Sequence, residues 1–198
     1  MKELTSRQKQ AVETKLRISE AAMKLLKNNS YDLIKITDIC KEANVSVGTF
    51  YHYFESKEMM IKSSYHSIDS LIIEDFENKN FNSYIDAIVG LNNSEATIVA
   101  SLGCNFTSNS YIQILMDETQ YTISPNRLVH LKLIELLKLA ASEKEIIETD
   151  VYELSEYINR TARGNIFDWC LKRGTTNLVD VWTSDIEKIM IAYKNQRT

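Results

Sequence analysis

The sequence predicts an all-α protein, in which helices are joined by short polar loops. Only five glycines and one proline occur among its 198 residues. Sheets and hairpins need many tight turns built from these two residue types, so their scarcity argues against β-structure. Apolar side chains instead recur at steps of three and four residues, the spacing that buries one face of a helix. With 44% hydrophobic residues, the chain can form one large domain or two small ones that share a core.

The distribution of charge separates the N-terminal third of the chain from the rest. Residues 1–62 contain eleven Lys or Arg and eight Asp or Glu, a net charge of +3, whereas residues 63–198 contain twelve and nineteen, a net charge of −7. A basic end on an acidic body suits a protein that approaches DNA with one end only. Chance variation in surface charge is the alternative, since +3 is small.

The chain is expected to be cytoplasmic and to span no membrane. It starts with MKELTSRQKQ, which is charged and lacks the apolar segment of a secretory signal. The most apolar stretch, LVHLKLIELLKLAA, is interrupted by Lys and Glu at helical spacing, which is typical of an amphipathic helix. Cys40, Cys104 and Cys170 are far apart and lack the paired spacing of zinc sites. Buried reduced thiols are therefore expected, with redox sensing by one of them as the alternative.

Residues 7–28 are predicted to form the first helix, because Ile18 and Ala22 begin an apolar stripe along it. The lysines and arginines near its start suit either a phosphate backbone or an ordinary solvated surface. The segment NNSYD then favours a turn. After the turn, Tyr31 and Leu33 are expected to fold back over the N-terminal core.

The stretch 36–54, ITDICKEANVSVGTFYHYF, is predicted to form a helix, a tight turn and a second short helix. Asn44 is expected to end the first helix, since Asn tolerates left-handed backbone, and Ser46 is a good N-cap for the second. Phe50 and Phe54, one turn apart, are expected to point inward. The side chains left pointing outward are Val47, Gly48, Thr49, Tyr51 and His52. These residues offer an apolar side chain, a glycine that permits close approach, hydroxyl groups and an imidazole. Such groups are suited to contacts with base edges and phosphates in a DNA groove.

The segment VSVGTFYHYFESKEMM, preceded by ITDICKEAN, resembles the DNA-binding domain of the tetracycline repressor (TetR) family of bacterial regulators. The family's loose pattern is an apolar residue, D, I, a small residue, then A-G-V-S-x-G-T-L-Y-x-Y-F-x-x-K-E-x-L, and it covers the N-terminal third of this chain. Asn44 replaces the usual turn glycine, Phe50 replaces leucine, and Val47 stands where the family often has Lys, Arg, Gln or Pro. Lys35 and Ile36 replace the Thr or Ser that usually precedes the first helix of the motif.

The resemblance implies a three-helix helix-turn-helix DNA-binding domain over residues 1–55 and a helical ligand-binding and dimerisation domain over residues 56–198. It implies DNA contacts by Thr37, Ser46, Val47, Gly48, Thr49, Tyr51, His52, Tyr53 and Lys57. For Tyr53, a position in the core is the alternative to a phosphate contact. A lysine such as Lys57 in the first turn of a helix is disfavoured by the helix dipole, which independently suggests a phosphate partner.

A long helix is predicted to follow the motif, with Ser56 as its N-cap and an end near residue 76. It is long enough to leave the DNA-binding domain and enter the body, and is therefore the expected mechanical link between them. Residues 82–92 and 94–102 are predicted to form two shorter helices. Gly103 and the polar TSNS stretch are then expected to break the helical pattern.

The last part of the chain is predicted to contain three more long helices after a mixed helical stretch at 111–123. Ser124 and Pro125 together predict the start of a helix that ends near residue 141, with Ser as N-cap and Pro at the first helical position. The other two are expected at 151–173 and at about 177–195. Asp150 with Glu153 resembles a capping box at the start of the first of these two helices.

Aromatic, Met and polar residues of the body could line a ligand cavity, although at helical spacing such residues more often belong to the core. The candidates are Tyr65, Phe106, Tyr111, Met116, Tyr121 and Asn165. Asp117 and Glu118 could favour a cationic ligand, with surface exposure as the alternative.

Large side chains on the last two helices could form either an ordinary core or a dimer face. The resemblance favours pairing with the same helices of a second chain as a four-helix bundle. The expected interface residues are Phe167, Trp169, Trp182, Ile186 and Met190.

An enzyme is a less favoured alternative, because the sequence contains no HExxH, GxSxG, phosphate-loop glycine pattern or paired metal spacing. A helical protein–protein adaptor would explain the amphipathic helices but not the outward Thr49, Tyr51 and His52. The sequence therefore predicts a cytoplasmic, homodimeric, DNA-binding transcriptional regulator, most simply a repressor. Its expected partners are double-stranded operator DNA and an unidentified small-molecule effector, with no cofactor and no metal.

Overall fold

The computed structural model describes residues 5–29, 31–115 and 121–195. Its α-helices are α1 (Ser6–Asn28), α2 (Ile36–Glu42), α3 (Val47–Tyr53), α4 (Lys57–Glu77), α5 (Tyr84–Leu102), α6 (Cys104–Leu115), α7 (Leu128–Ser142), α8 (Val151–Leu171) and α9 (Leu178–Tyr193). Short 3₁₀ turns lie at Tyr31–Leu33 and Tyr121–Ile123. The remaining described residues form turns, loops and one isolated bridge between Ile146 and Lys194. The all-α prediction is confirmed.

The helices of the body are organised around α5, which packs against α4, α7 and α9. Helix α8 closes this bundle by packing against α7 and α9. At the N-terminal end, α1 packs against α2, and α2 packs against α3. Because α1 also packs against α6, the N-terminal helices rest directly on the body. A single apolar cluster runs from Ile18 and Phe50 to Trp182, so the two ends of the molecule share one core.

Residues 82–102 do not form two helices as predicted, since α5 is one continuous helix. The polar residues near the predicted break are paired inside the core. The Asn92 side chain donates to the Ile88 carbonyl (3.0 Å) and accepts from the Trp182 indole (3.2 Å). Ser94 is buried and accepts a hydrogen bond from Lys79 (2.9 Å). In isolation these polar residues would favour a turn. Their hydrogen-bond partners elsewhere in the chain keep them in the helix.

The polar TSNS stretch, residues 107–110, lies inside α6, so the predicted break there is wrong. Gly103 does end α5, with φ 86°, as expected. The Thr107 hydroxyl donates to the Gly103 carbonyl one turn earlier (3.0 Å), and Ser110 is buried. Helix α6 therefore continues through polar residues because they bond to the helix itself or lie in the core.

The predicted helix start at Ser124 and Pro125 is also wrong, because α7 begins at Leu128. The Ser124 side chain accepts from the backbone N–H of Asn126 (3.2 Å), and the Arg127 N–H donates to the Ser124 carbonyl (3.1 Å). These bonds form a turn in front of the helix. The turn positions Arg127 at the N-cap, where its side chain reaches into the body.

Several local predictions at other helix ends are confirmed. Asp150 caps α8 by accepting from the N–H groups of Tyr152 and Glu153 (2.8 and 3.3 Å). Helices α1, α4, α8 and α9 lie within a few residues of their predicted bounds.

Tyr31 is buried as expected, whereas Leu33 is 74% exposed and does not fold over the core. Cys40 is buried as expected, but the other two free cysteines are half-buried.

Four of the five residues expected at a dimer face are buried inside a single chain. Trp182 and Ile186 are fully buried, Met190 is 1% exposed and Trp169 is 6% exposed. Trp169 also donates its indole N–H to the Thr176 carbonyl (3.1 Å). These side chains form the contact of α8 and α9 with the rest of the bundle, so they cannot pair with another chain. Of the five, Phe167 alone is exposed.

Candidate nucleic-acid interface and internal cavity

The turn between α2 and α3 is fixed by a pair of backbone hydrogen bonds at the end of α2. The N–H of Val45 donates to the Cys40 carbonyl (3.0 Å), and the N–H of Asn44 donates to the Lys41 carbonyl (3.3 Å). This is the Schellman arrangement, which requires a left-handed residue just after the helix. Asn44 supplies it with φ 52°. The predicted role of Asn44 is confirmed.

The start of α3 is fixed by Ser46, which is confirmed as its N-cap. The Ser46 hydroxyl oxygen accepts from the backbone N–H of Thr49 (3.0 Å) and lies 2.8 Å from the Thr49 hydroxyl. Phe50 and Phe54 are buried, which anchors α3 against the N-terminal core. The direction in which α3 points its other side chains follows from this anchoring.

Most of the predicted DNA-contacting side chains are solvent-exposed. Those exposed are Thr37, Ser46, Val47, Gly48, Tyr51 and His52. Tyr51 packs edge-to-face on Phe50, with ring centroids 5.6 Å apart, and remains 54% exposed. Thr49 is half-buried through its contact with Ser46. Tyr53 is half-buried and packs against the core, which supports its alternative as a core aromatic.

Gly48 occupies an exposed helical position that does not need glycine for packing. A Cβ placed there would meet the Ser46 hydroxyl oxygen at 3.7 Å, an ordinary van der Waals contact. Glycine inside a helix is destabilising relative to alanine because it loses more backbone entropy on folding. The structure of the single chain therefore gives no reason for glycine at this position, and the open space beside it suits close approach by another molecule.

Lys57 lies in a different environment from the predicted phosphate contact. Its ammonium group donates to the carbonyl oxygens of Tyr31 (2.7 Å) and Ile34 (2.9 Å) and sits 3.7 Å from the centroid of the Tyr31 ring. The Tyr31 hydroxyl in turn donates to Glu58. The first two residues of α4 thus hold the 3₁₀ turn that precedes α2, and the Lys57 ammonium group is hydrogen-bonded within the chain.

A cavity of about 90 Å³ lies in the body between α4, α5, α6, α7 and α8. Its apolar wall includes Ile68, Val99, Phe106, Ile114, Ile166 and Trp182. Of the predicted ligand-contacting residues, Phe106, Tyr111 and Tyr121 line it, whereas Asn165 does not. Met116, Asp117 and Glu118 lie outside the described residues, as does the side chain of Tyr65.

The polar wall of the cavity is built around Arg127. Its guanidinium donates to both carboxylate oxygens of Asp69 (2.9 to 3.1 Å) and to Glu95 (2.8 Å). The Tyr121 hydroxyl also donates to Asp69 (3.0 Å). All three charged side chains are buried or nearly so. Burial lowers the pKa of Arg127, but the charges of Glu95 and Asp69 outweigh it and raise the pKa, so the cation is retained.

His130 contributes a second polar group to the cavity wall. Its Nδ1 lies 3.0 Å from the Ser124 carbonyl oxygen, while its buried Nε2 has no hydrogen-bond partner among the described residues. Burial, followed by the nearby Arg127 charge, lowers the pKa of His130, so the imidazole is neutral at pH 7. Burial likewise raises the pKa of Tyr111 and Tyr121, which keeps both hydroxyl groups protonated.

Asp69, Glu95, Arg127 and His130 were not predicted from the sequence to form a site. Arg127 is 58 residues from Asp69 and 32 from Glu95, so no local pattern joins them. The available signal was a charged residue at a position where a helix is otherwise apolar. Asp69 follows Ile68 on the stripe of α4, and Glu95 lies among the small and apolar residues of α5.

Helix α4 connects the cavity to the N-terminal helices. Asp69 and Ile68, in the middle of α4, line the cavity, and Lys57 and Glu58 at its start hold the turn before α2. At a rise of about 1.5 Å per residue, the two positions are roughly 18 Å apart along a single rigid element. The helix predicted as the mechanical link thus contacts both regions.

An exposed apolar strip runs along α8. It consists of Tyr157, Phe167 and Leu171, with the exposed Gly164 between them. Within the described part of the chain, a Cβ placed on Gly164 would meet no heavy atom within 4 Å. On α9, Val181 and Ile191 are also exposed. The same two helices that were expected to form a dimer face therefore present apolar side chains, but these are largely different residues from the predicted ones.

No described helix combines the length and the hydropathy needed to cross a membrane. No group of three or more His, Cys, Asp or Glu side chains among these residues is arranged to hold a metal ion.

Comparison with known proteins shows similarity at both the sequence and the structural level. Residues 18–63 match the family described as bacterial regulatory proteins, tetR family. The HTH-type transcriptional regulator UidR of Escherichia coli (strain K12) is 38% identical over 56 residues, which are 28% of this chain and 29% of UidR. The match therefore spans less than a third of the length of that curated relative.

Two solved structures share the fold over nearly the whole chain. The fatty acid degradation regulator FadR from Bacillus halodurans matches with a TM-score of 0.65 and 18% identity, covering 99% of each chain. The transcriptional regulator FadR from Bacillus subtilis, solved in complex with stearoyl-CoA, matches with a TM-score of 0.62 and 20% identity, covering 88% of this chain and 97% of FadR. At these identities the likeness concerns the fold alone.

Proposed function

We propose that this chain, whose residues 18–63 match the tetR family of bacterial regulatory proteins, is a homodimeric DNA-binding transcriptional regulator. It would most simply be a repressor, controlled by a small molecule bound in its cavity. Residues 1–55 would form the DNA-binding domain and residues 56–198 the ligand-binding and dimerisation domain. The observation that carries the proposal is the outward face of α3, where Gly48 and Tyr51, which match the family pattern, are exposed beside Val47 and His52.

On this proposal, α3 enters the major groove of operator DNA. Val47, Gly48, Tyr51 and His52 are exposed on α3 and supply apolar contact, close approach and hydrogen-bonding groups. Thr37 and Ser46 lie exposed beside them and suit the DNA backbone, while Thr49 and Tyr53 are half-buried and contribute at the edge of the interface. On this proposal Lys57 does not contact phosphate but holds the turn before α2 by donating to the carbonyl oxygens of Tyr31 and Ile34.

The dimer would pair α8 and α9 of two chains through the exposed strip of α8. Phe167 and Leu171 supply apolar area, and Gly164 leaves room for a partner helix to approach closely. A two-fold axis would then present two copies of α3 to successive major grooves, about 34 Å apart. One seven-residue helix reads few base pairs, so pairing is the simplest way to gain specificity.

The cavity would bind the effector and act on DNA affinity through α4. A ligand that contacts Ile68 or Asp69 bears directly on the helix whose first residues hold the turn before α2. A displacement of α4 would change the separation of the two α3 helices in the dimer. The ligand shifts this balance only by its difference in affinity between the two arrangements. The stearoyl-CoA complex of Bacillus subtilis FadR supports the idea that a body of this fold can hold a small molecule.

The proposed action is binding, not catalysis. In a bacterium, operator DNA lies in the cytoplasm, where such a regulator would work. The cavity's charged groups are mutually paired around Arg127, whereas a catalytic acid or base needs reach to a substrate.

The proposal is tested in two steps. The purified protein first selects DNA from a random pool, and its binding to the selected duplex is then measured at two salt concentrations. Tight binding that resists an unrelated competitor duplex supports a sequence-specific regulator. Tyr51→Ala should weaken it, whereas Tyr152→Ala should not, since Tyr152 is similarly exposed (57%, against 54% for Tyr51) but lies on α8. Binding that vanishes with salt and ignores sequence would contradict the proposal and favour an adaptor.

A further inference from the structure

The hydrogen-bonding geometry of His130 defines what its free nitrogen can do. A carbonyl oxygen can only accept a hydrogen bond, so the contact of Nδ1 with the Ser124 carbonyl (3.0 Å) assigns the ring proton to Nδ1. In the neutral imidazole, Nε2 then carries a lone pair and acts as an acceptor. Nε2 is buried and unpaired among the described residues. A buried acceptor without a partner is costly, and a ligand that donates to it removes this cost.

The charges around the cavity disfavour an anionic ligand. Asp69 and Glu95 already share the single guanidinium of Arg127, whose Nη2 donates to both (2.9 and 2.8 Å). A carboxylate entering beside them would be a third anion around one cation. The other lining cation, Arg163, faces Glu156 at 3.7 Å. Among the described residues, two carboxylates and two guanidinium groups thus line the cavity, and an uncharged ligand leaves this charge balance unchanged.

The remaining wall indicates the rest of the ligand. Phe106, Ile114, Ile166 and Trp182 present aromatic and aliphatic surface on several helices. Burial of apolar ligand area against such side chains is the main source of affinity in cavities of this kind. A single polar group of the ligand, placed near His130, would then fix the orientation of the ligand in the cavity.

We propose, on the basis of the regulator function above, that the effector is an uncharged, largely apolar molecule with one hydroxyl or N–H group that donates a hydrogen bond to Nε2 of His130. The site thereby distinguishes alcohols, phenols and amides from carboxylates of the same carbon skeleton. His130 determines the preference for a ligand with a hydrogen-bond donor over one with a methyl group at the same position, and the charges of Asp69 and Glu95 disfavour the carboxylate.

The proposal is tested by calorimetric titration of the full-length protein at pH 7.5 with three probes that share a 4-ethylphenyl group. The probes are 4-ethylphenol, 4-ethyltoluene and 4-ethylbenzoate. The same titrations with His130→Phe complete a thermodynamic cycle, in which the different hydrophobicities of the probes cancel. The ratio of the dissociation constants of 4-ethyltoluene and 4-ethylphenol should be about tenfold larger for the wild type than for the variant, as expected for one buried hydrogen bond. Exposed Glu74→Gln, on the same helix as Asp69, serves as the control and should keep the wild-type ratio.

Three results would overturn the proposal: the tightest binding by 4-ethylbenzoate, an equal ratio in the wild type and His130→Phe, or no binding of any probe at millimolar concentration. If His130→Phe does not fold, the wild type alone decides, since it should bind 4-ethylphenol at least about tenfold more tightly than 4-ethylbenzoate. Binding of selected DNA is measured separately. Specific DNA binding with the wrong probe preference would reject this inference alone, and the expected preference without specific DNA binding would reject the regulator function alone.

Discussion

Arg127 and Asp69 join two helices across the cavity, because the N-cap residue of α7 donates from Nε and Nη2 to a carboxylate in the middle of α4. Both side chains are buried, with 14% and 1% of their areas exposed. Glu95 on α5 shares the same guanidinium. The position of α4, which also holds the turn before α2, therefore depends on a charged cluster that forms part of the cavity wall.

Replacement of Arg127 should destabilise the protein strongly. Arg127→Met leaves two buried carboxylates without a cation, which should cost about 3–5 kcal/mol in the free energy of unfolding. Urea denaturation measures this cost. Lys188→Met is the matched control, because Lys188 pairs with Asp185 at an exposed position (69% and 35% of their side chains exposed), and its loss should change stability by less than about 1 kcal/mol. Equal effects of the two substitutions would refute the assigned role of the cluster.

Lys57→Met should reduce stability without removing a phosphate contact. Two hydrogen bonds from a charged donor to carbonyl oxygens are lost, which should cost about 1–3 kcal/mol. The slope of log Kd against log salt concentration for DNA should stay unchanged, whereas the loss of a phosphate-binding lysine changes it by about 1. Exposed Lys35→Met provides a comparison with little expected effect on stability. A reduced salt slope for Lys57→Met would restore the role predicted from sequence.

Gly48→Ala should separate folding from DNA recognition. The added methyl group meets only the Ser46 hydroxyl oxygen at 3.7 Å, and alanine should maintain or raise stability by up to about 1 kcal/mol. Affinity for the selected DNA should nevertheless fall roughly tenfold, the order of one lost base contact. Thermal unfolding and fluorescence anisotropy measure the two effects. Unchanged affinity would mean that DNA does not approach α3 at Gly48.

Stability should fall as the pH drops below about 6.5 because of His130. Burial, and then the Arg127 charge, lower its folded-state pKa below the ordinary value of 6.5. Between the folded-state pKa and pH 6.5, His130 binds a proton in the unfolded chain but not in the folded protein. The contribution of His130 to the free energy of unfolding is therefore complete above pH 6.5 and is lost as the pH falls towards the folded-state pKa. Urea midpoints between pH 7.5 and 5.5 should fall less steeply for His130→Phe than for the wild type. Parallel pH profiles would show that His130 is not the group responsible.

Phe167→Glu should dissociate the proposed dimer while leaving the fold of each chain intact. Phe167 is 55% exposed on α8, so a charge there meets water in the monomer but would be buried in a dimer. Analytical ultracentrifugation should show at least a tenfold weaker self-association, with an unchanged circular dichroism spectrum. Leu33→Glu, at an exposed apolar residue near the N-terminal helices, should leave self-association unchanged. A persistent dimer of Phe167→Glu would place the interface elsewhere.

The sequence by itself determined the features that depend on neighbouring residues. The low glycine and proline content predicted the helical fold, and the turn at Asn44, the N-cap at Ser46 and the buried Phe50 and Phe54 all followed from local rules. These features are local because their partners lie within about one helical turn. The outward residues of α3 were identified for the same reason, as those left after the inward ones were assigned.

Only the tertiary structure decided the features whose partners are distant in the chain. Asn92 and Ser94 stay helical in α5 because Trp182 and Lys79 meet them in the core. Trp182 is a core residue rather than a dimer contact because α5 covers it.

Lys57 and the cavity cluster illustrate the same limit at the functional sites. The Lys57 ammonium group turns inward because the carbonyl oxygens of Tyr31 and Ile34 lie within its reach. From the sequence, Lys57 could be assigned only by resemblance and by its place in the first turn of a helix. Asp69 and Arg127 lie 58 residues apart and meet only when α4 and α7 pack together. A helical pattern predicts which side of a helix is buried, but the element that covers that side depends on how the whole chain packs.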